Sequence, residues 1–572
     1  MSLRAPELRN QLILLPELLS EKVEKGPHAA RFFLYLSEVL DLRMYKKWFM
    51  GTPPYSRPTL LAVILYSMYN GHFESRNILQ YAGDSIGAQW ILNGMVMPKY
   101  KTVQRTINAF LEELDDVFTQ ILELCEQQGL IGGERAYTDG VKVQANASKH
   151  KAMSYGYLGK KIARGKEDLK ALFAAIKDIV DGFELPEEDF QEVVKEDAVD
   201  VHKGLRKIHQ DALNQRQERI FNKDFDETKG QSEDQLRKSE EESRIDEIKG
   251  GLQILKNIEP EKQDEAVNIL NNIAFINKRV SRMEDAKSEL EDRWEAANGN
   301  KKIPEKQQIN FTDPESCIMT TKHHGVQQCY NNFAVVDDRA NIILGCYTSN
   351  NSVDQVSLKP CIERTEQTYG SLEGFQFGAD AGFFSASNIL YMKDKGIDFY
   401  ASYPEATSPY AKDKFKYNEN TDTYTCPGGN VLSPPKESRG GQIREYSNEA
   451  ACSSCEHRCG SPPCTKAKDG VRRITRDMEG DKLREEGREK ANSAEGREIL
   501  RLRKSIPEPV WGNIKTQDDF IQMHYRGIEK AGLEFELHCL LQNIRKLLKV
   551  YFRSKSYQDV IHNKCGGYCA VA

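Results

Sequence analysis

The stretch from Tyr155 to Gln308 separates two regions of β-type sequence and limits, more than any other feature, how this chain can fold. It is rich in Lys, Glu, Asp, Gln and Arg, with apolar residues as sparse as Ile245, Ile248, Leu252 and Leu255. Such a composition suits a solvated helical arm and is poor material for a catalytic core. Residues 155–308 are therefore expected to be an inserted, charged helical arm, with Asp224 to Glu242 disordered. What remains must assemble its core across that gap.

At 572 residues the chain exceeds one compact core, so several units are expected. Residues 58–129 read as helical: Pro58 suits a first turn, Leu60, Leu61, Ile64, Leu65 and Met68 recur at helical spacing, and Gly71 interrupts them. Ser75 and Thr102 are candidate caps of two further helices. Short helices separated by glycines permit a helix-turn-helix-like DNA-binding unit, or an ordinary packed bundle. A strand is expected over Arg135–Val143. Beyond the arm, NNFAVV and NIILGCYT flank Asp337-Asp338-Arg339-Ala340 and read as a hairpin. A strand ending at Asp380, a helix between Ser385 and Gly396, and the strand IDFYASY follow. The expected organisation is a helical N-terminal domain (1–130), the first core strand (131–154), the arm (155–308), the core continued (309–410), a Cys-rich insertion (411–470) and a C-terminal helical part (471–572). The core is a mixed α/β one.

Three acids stand out: Asp139 in YTDGVKV, Asp380 in GADAGF and Glu508 in KSIPEPVWGNIK. Carboxylates at strand ends suit a hard, oxygen-seeking cation such as Mg²⁺, and three can serve the two metals of an in-line displacement at phosphorus. Each has a plain structural rival: a strand-edge turn for Asp139, a tight strand-to-helix link for Asp380, and for Glu508 a capping box with Ser505. The cations Arg501, Arg503, Lys504 and Lys515 around Glu508 favour phosphate as its setting.

The net charge of -6 excludes an all-over basic coat, although after Glu536 the only acid is Asp559, against Arg545, Lys546, Lys549, Arg553, Lys555 and Lys564. That end suits either phosphate or a solvated helix face. The longest apolar run, Leu60 to Tyr69, is too short to cross a bilayer, and the N-terminus lacks a secretory layout. An intracellular, cytoplasmic protein is expected. Thirteen cysteines in such a chain do not read as a disulfide framework, and Cys125, Cys317, Cys329, Cys346, Cys361 and Cys539 read as core residues. In contrast, Cys426, Cys452 and Cys455, with Cys459 or Cys464 as fourth ligand and His457 in reserve, have spacings suited to structural Zn²⁺; reduced surface thiols are the alternative. The terminal Cys565 and Cys569 are too isolated to interpret.

The ordered motifs TDGVKVQANASK, QCYNNFAVVD, GADAGFFSASN and KSIPEPVWGNIK, then YRGIEKAGLEFELHCLLQNIRKL, resemble those of bacterial insertion-sequence transposases of the DDE class. The leader segments RPTLLAVILYSMYNGHFESRNI and PKYKTVQRTINAF are similar to theirs too. The resemblance implies a ribonuclease H-like core whose triad Asp139, Asp380 and Glu508 holds Mg²⁺ or Mn²⁺. It implies double-stranded DNA as partner, contacts from Arg501, Arg503, Lys504, Lys515 and Arg526, a homodimer on the DNA, and association with the nucleoid. Arg501 stands where the family has tyrosine and Lys504 where it has arginine, whereas Lys515 matches. Neither departure is conservative: lysine lacks the bidentate fork, and arginine is no phenol. A catalytically silent DNA-binding descendant, and a nuclease or resolvase without strand transfer, are the alternatives.

Overall fold

The computed structural model describes residues 23, 28–46, 56–93, 95, 97–179, 260–299, 301–321, 325–404, 407–434, 442–458 and 463–553. Ile245, Ile248, Leu252, Leu255, Asp224 to Glu242, Cys459, Cys565 and Cys569 lie outside them. The chain forms two compact units, residues 147–316 and the remainder.

In the larger unit the leader contributes α1 (Ala29–Val39), α2 (Arg57–Tyr69), α3 (Ser75–Asp84), α4 (Ile86–Leu92), α5 (Tyr100–Leu111) and α6 (Leu114–Gln127). The glycine break after α2 is real, with Gly71 at φ +88. Two expected caps are not formed: Glu74 precedes α3, and the helix assigned to Thr102 starts at Tyr100, both without a side-chain cap bond. Ser85 caps α4 instead.

The core sheet contains β1 (Arg135–Gln144), β2 (Gly325–Asp337), β3 (Ile343–Ser349), β4 (Gln376–Ala379) and β5 (Asp398–Ala401). Its order is β3-β2-β1-β4-β5, with the short strand Cys317–Thr321 also pairing β2. β2 is antiparallel to β1 and β3, whereas β4 runs parallel to β1 and β5 parallel to β4. The hairpin, both later strands and the helix between them match the sequence expectation. Buried Asp337 anchors the entrance to β1, accepting the N–H groups of Gly132, Gly133 and Arg339. Helices α7 (Leu358–Thr368) and α8 (Ala386–Asp394) pack on the sheet; Ser385 caps α8, and Gly396 follows it at φ +68.

Between β5 and the last helices lies a small module. It has strands β6 (Lys416–Asn418), β7 (Thr423–Thr425) and β8 (Val431–Leu432), then the pair β9 (Ile443–Tyr446) and β10 (Ile474–Asp477). Among the described residues its buried apolar core is Phe415, Tyr424, Leu432, Tyr446 and Ile474, edged by Tyr417, Cys426 and Cys464. Buried Arg476 fills out that core, 3.7 Å from the Tyr417 ring centroid and bonded to both oxygens of Glu485.

Four helices follow: α9 (Met478–Asn492), α10 (Ala494–Leu502), α11 (Pro507–Gln517) and α12 (Ile528–Arg553). α10 packs on β4 and β5, α11 on β1 and β2, and α12 on β3 and α6, so the leader shares one unit with the core. A charged knot joins them: Arg364 of α7 binds Asp115 of α6 and Glu536 of α12. Burial pushes the Glu536 carboxyl up to about 7, although Arg364 pulls the other way.

The smaller unit pairs the helices Tyr155–Ile179 and Pro260–Asn298 around Leu158, Ile162, Leu169, Ile273, Val280 and Met283. A two-stranded ladder, Ala152–Ser154 with Gln308–Asn310, closes one end. The described parts of this unit are mainly helical, and residues 147–154 and 309–316 go with it.

Candidate active site

The β1–β4 pairing sets two of the three acids. Tyr137 lies beside Gly378 in a parallel register, so continuing two residues brings Asp139 level with Asp380, the residue just past β4. Neighbouring strands run about 4.8 Å apart. Both side chains are half-buried. Asp139 Oδ1 accepts the Gly140 N–H at 2.9 Å, and Asp380 Oδ1 accepts the Gly382 N–H at 2.8 Å. Gly140 must stay small, because a Cβ there would stand 2.7 Å from the Phe333 ring.

Glu508 lies on α11, whose buried face is Val510, Trp511 and Ile514, with Trp511 stacked 5.7 Å from Phe535. The opposite face is open. Glu508 and Lys515, two turns apart, share it, and a Cβ on the intervening Gly512 would meet nothing within 4 Å. The capping box expected as the rival role of Glu508 is not formed. Ile506 is the N-cap without a side-chain bond, and Ser505 Oγ donates backwards to Leu502 O at 2.8 Å. Glu508 makes no side-chain hydrogen bond or ion pair among the described residues.

Arg501 and Lys504 are exposed and Arg503 is half-buried in the turn before α11. Arg526 is exposed but anchored: its Nε donates to Asn146 O at 3.0 Å. Further bonds run from Asn146 Nδ2 to His524 O (2.6 Å) and from Met523 N to Gln144 O (2.7 Å), fastening this loop to the end of β1. His524 is raised above its ordinary pKa by its bond to Glu534. Arg545, counted in sequence among the phosphate-facing cations, is turned inward and paired with buried Asp518. Lys549 and Arg553 stay exposed.

The module gathers four of its cysteines. Cys426 begins a tight turn in which its Sγ accepts the Asn430 N–H at 3.3 Å. Cys452 and Cys455 are joined through the backbone, and Cys464 N donates to His457 O at 2.9 Å. Burial pushes the Cys464 thiol up, Arg472 opposes this, and Cys455, Cys426 and Cys452 are near enough to add to it. His457 packs by Cys426, its Cδ2 3.0 Å from where a Gly428 Cβ would sit. All ten described cysteines are free; Cys125, Cys329, Cys346, Cys361 and Cys539 are buried, whereas Cys317, expected in the core, is half-exposed.

Among the described residues no group of three or more His, Cys, Asp and Glu side chains is already spaced to hold a metal ion. No helix among them is long and apolar enough to cross a membrane. The donor types nevertheless fit, carboxylates for a hard cation and thiolates for zinc. One residue escaped the sequence reading: Asp354, beside Asp380, lies in the polar segment SNNSVDQVS, where only turn-type composition is visible.

Residues 425–548, about a fifth of the chain, match the family described as Transposase DDE domain, and Glu508 lies within them. No curated protein and no solved structure matches the chain. This match, carried by residues 425–548, supports an insertion-sequence DDE transposase.

Proposed function

We propose that this transposase binds the ends of its own insertion sequence, cuts them in a metal-dependent reaction and joins the freed 3′ ends to target DNA. The observation that carries the reading is the parallel register of β1 and β4, which sets Asp139 level with Asp380. In support, the strand order β3-β2-β1-β4-β5, an antiparallel meander followed by two parallel strands, suits a ribonuclease H-like core.

Asp139, Asp380 and Glu508 are the residues that would hold Mg²⁺ or Mn²⁺. A divalent cation so held stabilises charge on the phosphoryl oxygens and makes water a stronger nucleophile. The chain's own residues do the positioning. Glu508, without a side-chain bond among the described residues, lies on the open face of α11 and is available to the DNA side. Lys515 two turns on, with Arg501, Arg503 and Lys504 before it, offers cations to the backbone phosphates, which fix register without reading sequence. Arg526, pinned to the end of β1, holds a donor beside the same strand as Asp139. The leader helices and the exposed part of α12 supply binding to the element ends. Two protomers act together, because two ends must be joined. The setting is the cytoplasm, on the nucleoid.

The test is an incubation of the full chain with Mg²⁺ or Mn²⁺, labelled element ends and a target plasmid. Joined donor–target products are expected; nicking alone would point to a nuclease or resolvase. The departures at Arg501 and Lys504 favour one other reading, a silent DNA-binding descendant. That reading wins if the protein binds its ends without nicking them and Asp139→Ala changes nothing.

Zn²⁺ held by Cys426, Cys452, Cys455 and Cys464 would staple the module, whose few core residues make it a poor candidate for stability on its own. One zinc per chain is expected by metal analysis of the purified protein. Cys455→Ser should lose it and open residues 416–477 to protease. A zinc-free preparation with an intact module would remove this assignment.

A further inference from the structure

The smaller unit carries its charge unevenly. Between Ser148 and Arg164 there is no acid, and between Gly299 and Phe311 the one acid is Glu305. The ladder of Ala152–Ser154 with Gln308–Asn310 sets these two segments side by side, and Tyr155 N extends it by donating to Gln307 O at 2.8 Å. Trp294 Nε1 donates to Lys301 O at 2.7 Å, tying the returning segment to its helix. The cations of both segments therefore gather at one end of the unit.

On the helix Tyr155–Ile179 they form a stripe. Leu158, Ile162 and Leu169 are buried against the helix Pro260–Asn298. Tyr157, Lys160, Lys161 and Arg164 recur at i, i+3, i+4 and i+7, which places them together on another face. That face is open: Tyr157 is 50% exposed, and Lys160 and Arg164 are exposed beside it. Lys161 Nζ stands 5.4 Å from the Tyr157 ring centroid, a contact that orients the ammonium without cancelling its charge. Lys301, Lys302 and Lys306 on the returning segment are exposed as well.

A merely solvated face mixes its signs, as the rest of the unit does. There Lys166 binds Glu284 at 2.6 Å and Lys287 binds Glu291 at 3.2 Å. Among the described residues none of Lys160, Lys161, Arg164, Lys301, Lys302 and Lys306 forms an ion pair. Like charges gathered in this way repel one another, and a polyanion relieves them. The stripe from Tyr157 to Arg164 is about 10 Å long. A DNA duplex carries one phosphate per about 1.7 Å of its axis, so a stretch of that length meets several.

We propose that this end of the arm is a binding surface for the sugar-phosphate backbone of duplex DNA. The proposal rests on the transposase reading, which supplies the DNA, and it gives the inserted arm a task in that reaction. Contacts of this kind fix position without reading bases, so element ends and target DNA are held alike.

The experiment follows binding of the full chain to two labelled duplexes, an element end and an unrelated sequence, by fluorescence anisotropy over a range of KCl. A variant with Lys160→Gln, Lys161→Gln and Arg164→Gln should lower the slope of log K against log salt by about three. Near 0.15 M salt it should weaken both duplexes by roughly 30- to 100-fold. If this variant melts below the parent, one with Lys301→Gln, Lys302→Gln and Lys306→Gln takes its place with the same expectation. Lys166→Gln, whose ammonium is already spent on Glu284, should leave the slope unchanged. An equal loss per charge at Lys166 would make the effect a long-range field and overturn the proposal. So would a loss confined to the element end, which would mean sequence readout. A folded variant with the parent's slope and affinity also overturns it and leaves the transposase reading standing, even where that variant loses self-association, which would assign the face to a second copy of the chain. A parent chain that binds neither duplex removes both.

Discussion

Asp380→Asn is expected to cut cleavage of the element ends by about a thousandfold or more, while binding of those ends persists. The asparagine retains an oxygen for the Gly382 N–H, so the turn after β4 survives and only the charge is removed. Charge stabilisation by a metal contributes several kcal/mol to phosphoryl transfer, and each 1.36 kcal/mol is a factor of ten in rate. Asp139→Asn and Glu508→Gln should act alike. Glu508 offers the cleanest comparison: it is exposed and unbonded among the described residues, so its replacement should change stability by less than about 0.5 kcal/mol. Labelled-end cleavage, read beside a mobility shift, checks both halves. If any of the three variants cleaves at the parent rate, that residue has no part in holding the metal.

Much of this architecture was legible because its signals are local. The apolar runs either side of Asp337 to Ala340, the cap at Ser385 and the stop at Gly396 depend on neighbours within a few residues, and each formed as read. Charge was harder. A carboxylate or guanidinium looks the same in sequence whether it meets solvent, phosphate or a buried partner. Arg545 sits in a basic run yet pairs with Asp518 twenty-seven residues away and reaches Tyr69 O, 476 positions distant. The capping box at Ser505 had the right spacing and failed, because Ser505 is taken up in the helical turn Arg503–Ser505 and Ile506 becomes the N-cap.

Asp518→Ala should cost about 3–5 kcal/mol, the penalty for stranding the partners of a buried charge. Asp518 is 3% exposed at the end of α11, where it binds Arg545 and, at 3.1 Å, His538 Nδ1. Neither partner has water to replace it, since Arg545 is 7% and His538 1% exposed. A whole domain is stable by only about 5–15 kcal/mol, so the loss should appear as a much lower urea midpoint. Asp518→Leu combined with Arg545→Met should recover part of it, because removing both charges leaves fewer groups stranded. The effect should reach the acidic site too. His538 packs tilted against Phe73 of the leader (4.5 Å) and against Phe520 (4.2 Å), just before the turn that bonds to Gln144 at the end of β1. Asp518 thus fixes one end of α11, the helix of Glu508, against the strand of Asp139. In a folded Asp518→Ala protein, cleavage should therefore fall more than end binding does. An unfolding free energy within about 1 kcal/mol of the parent, with cleavage unchanged, would show that this buried pair does not hold α11 in place.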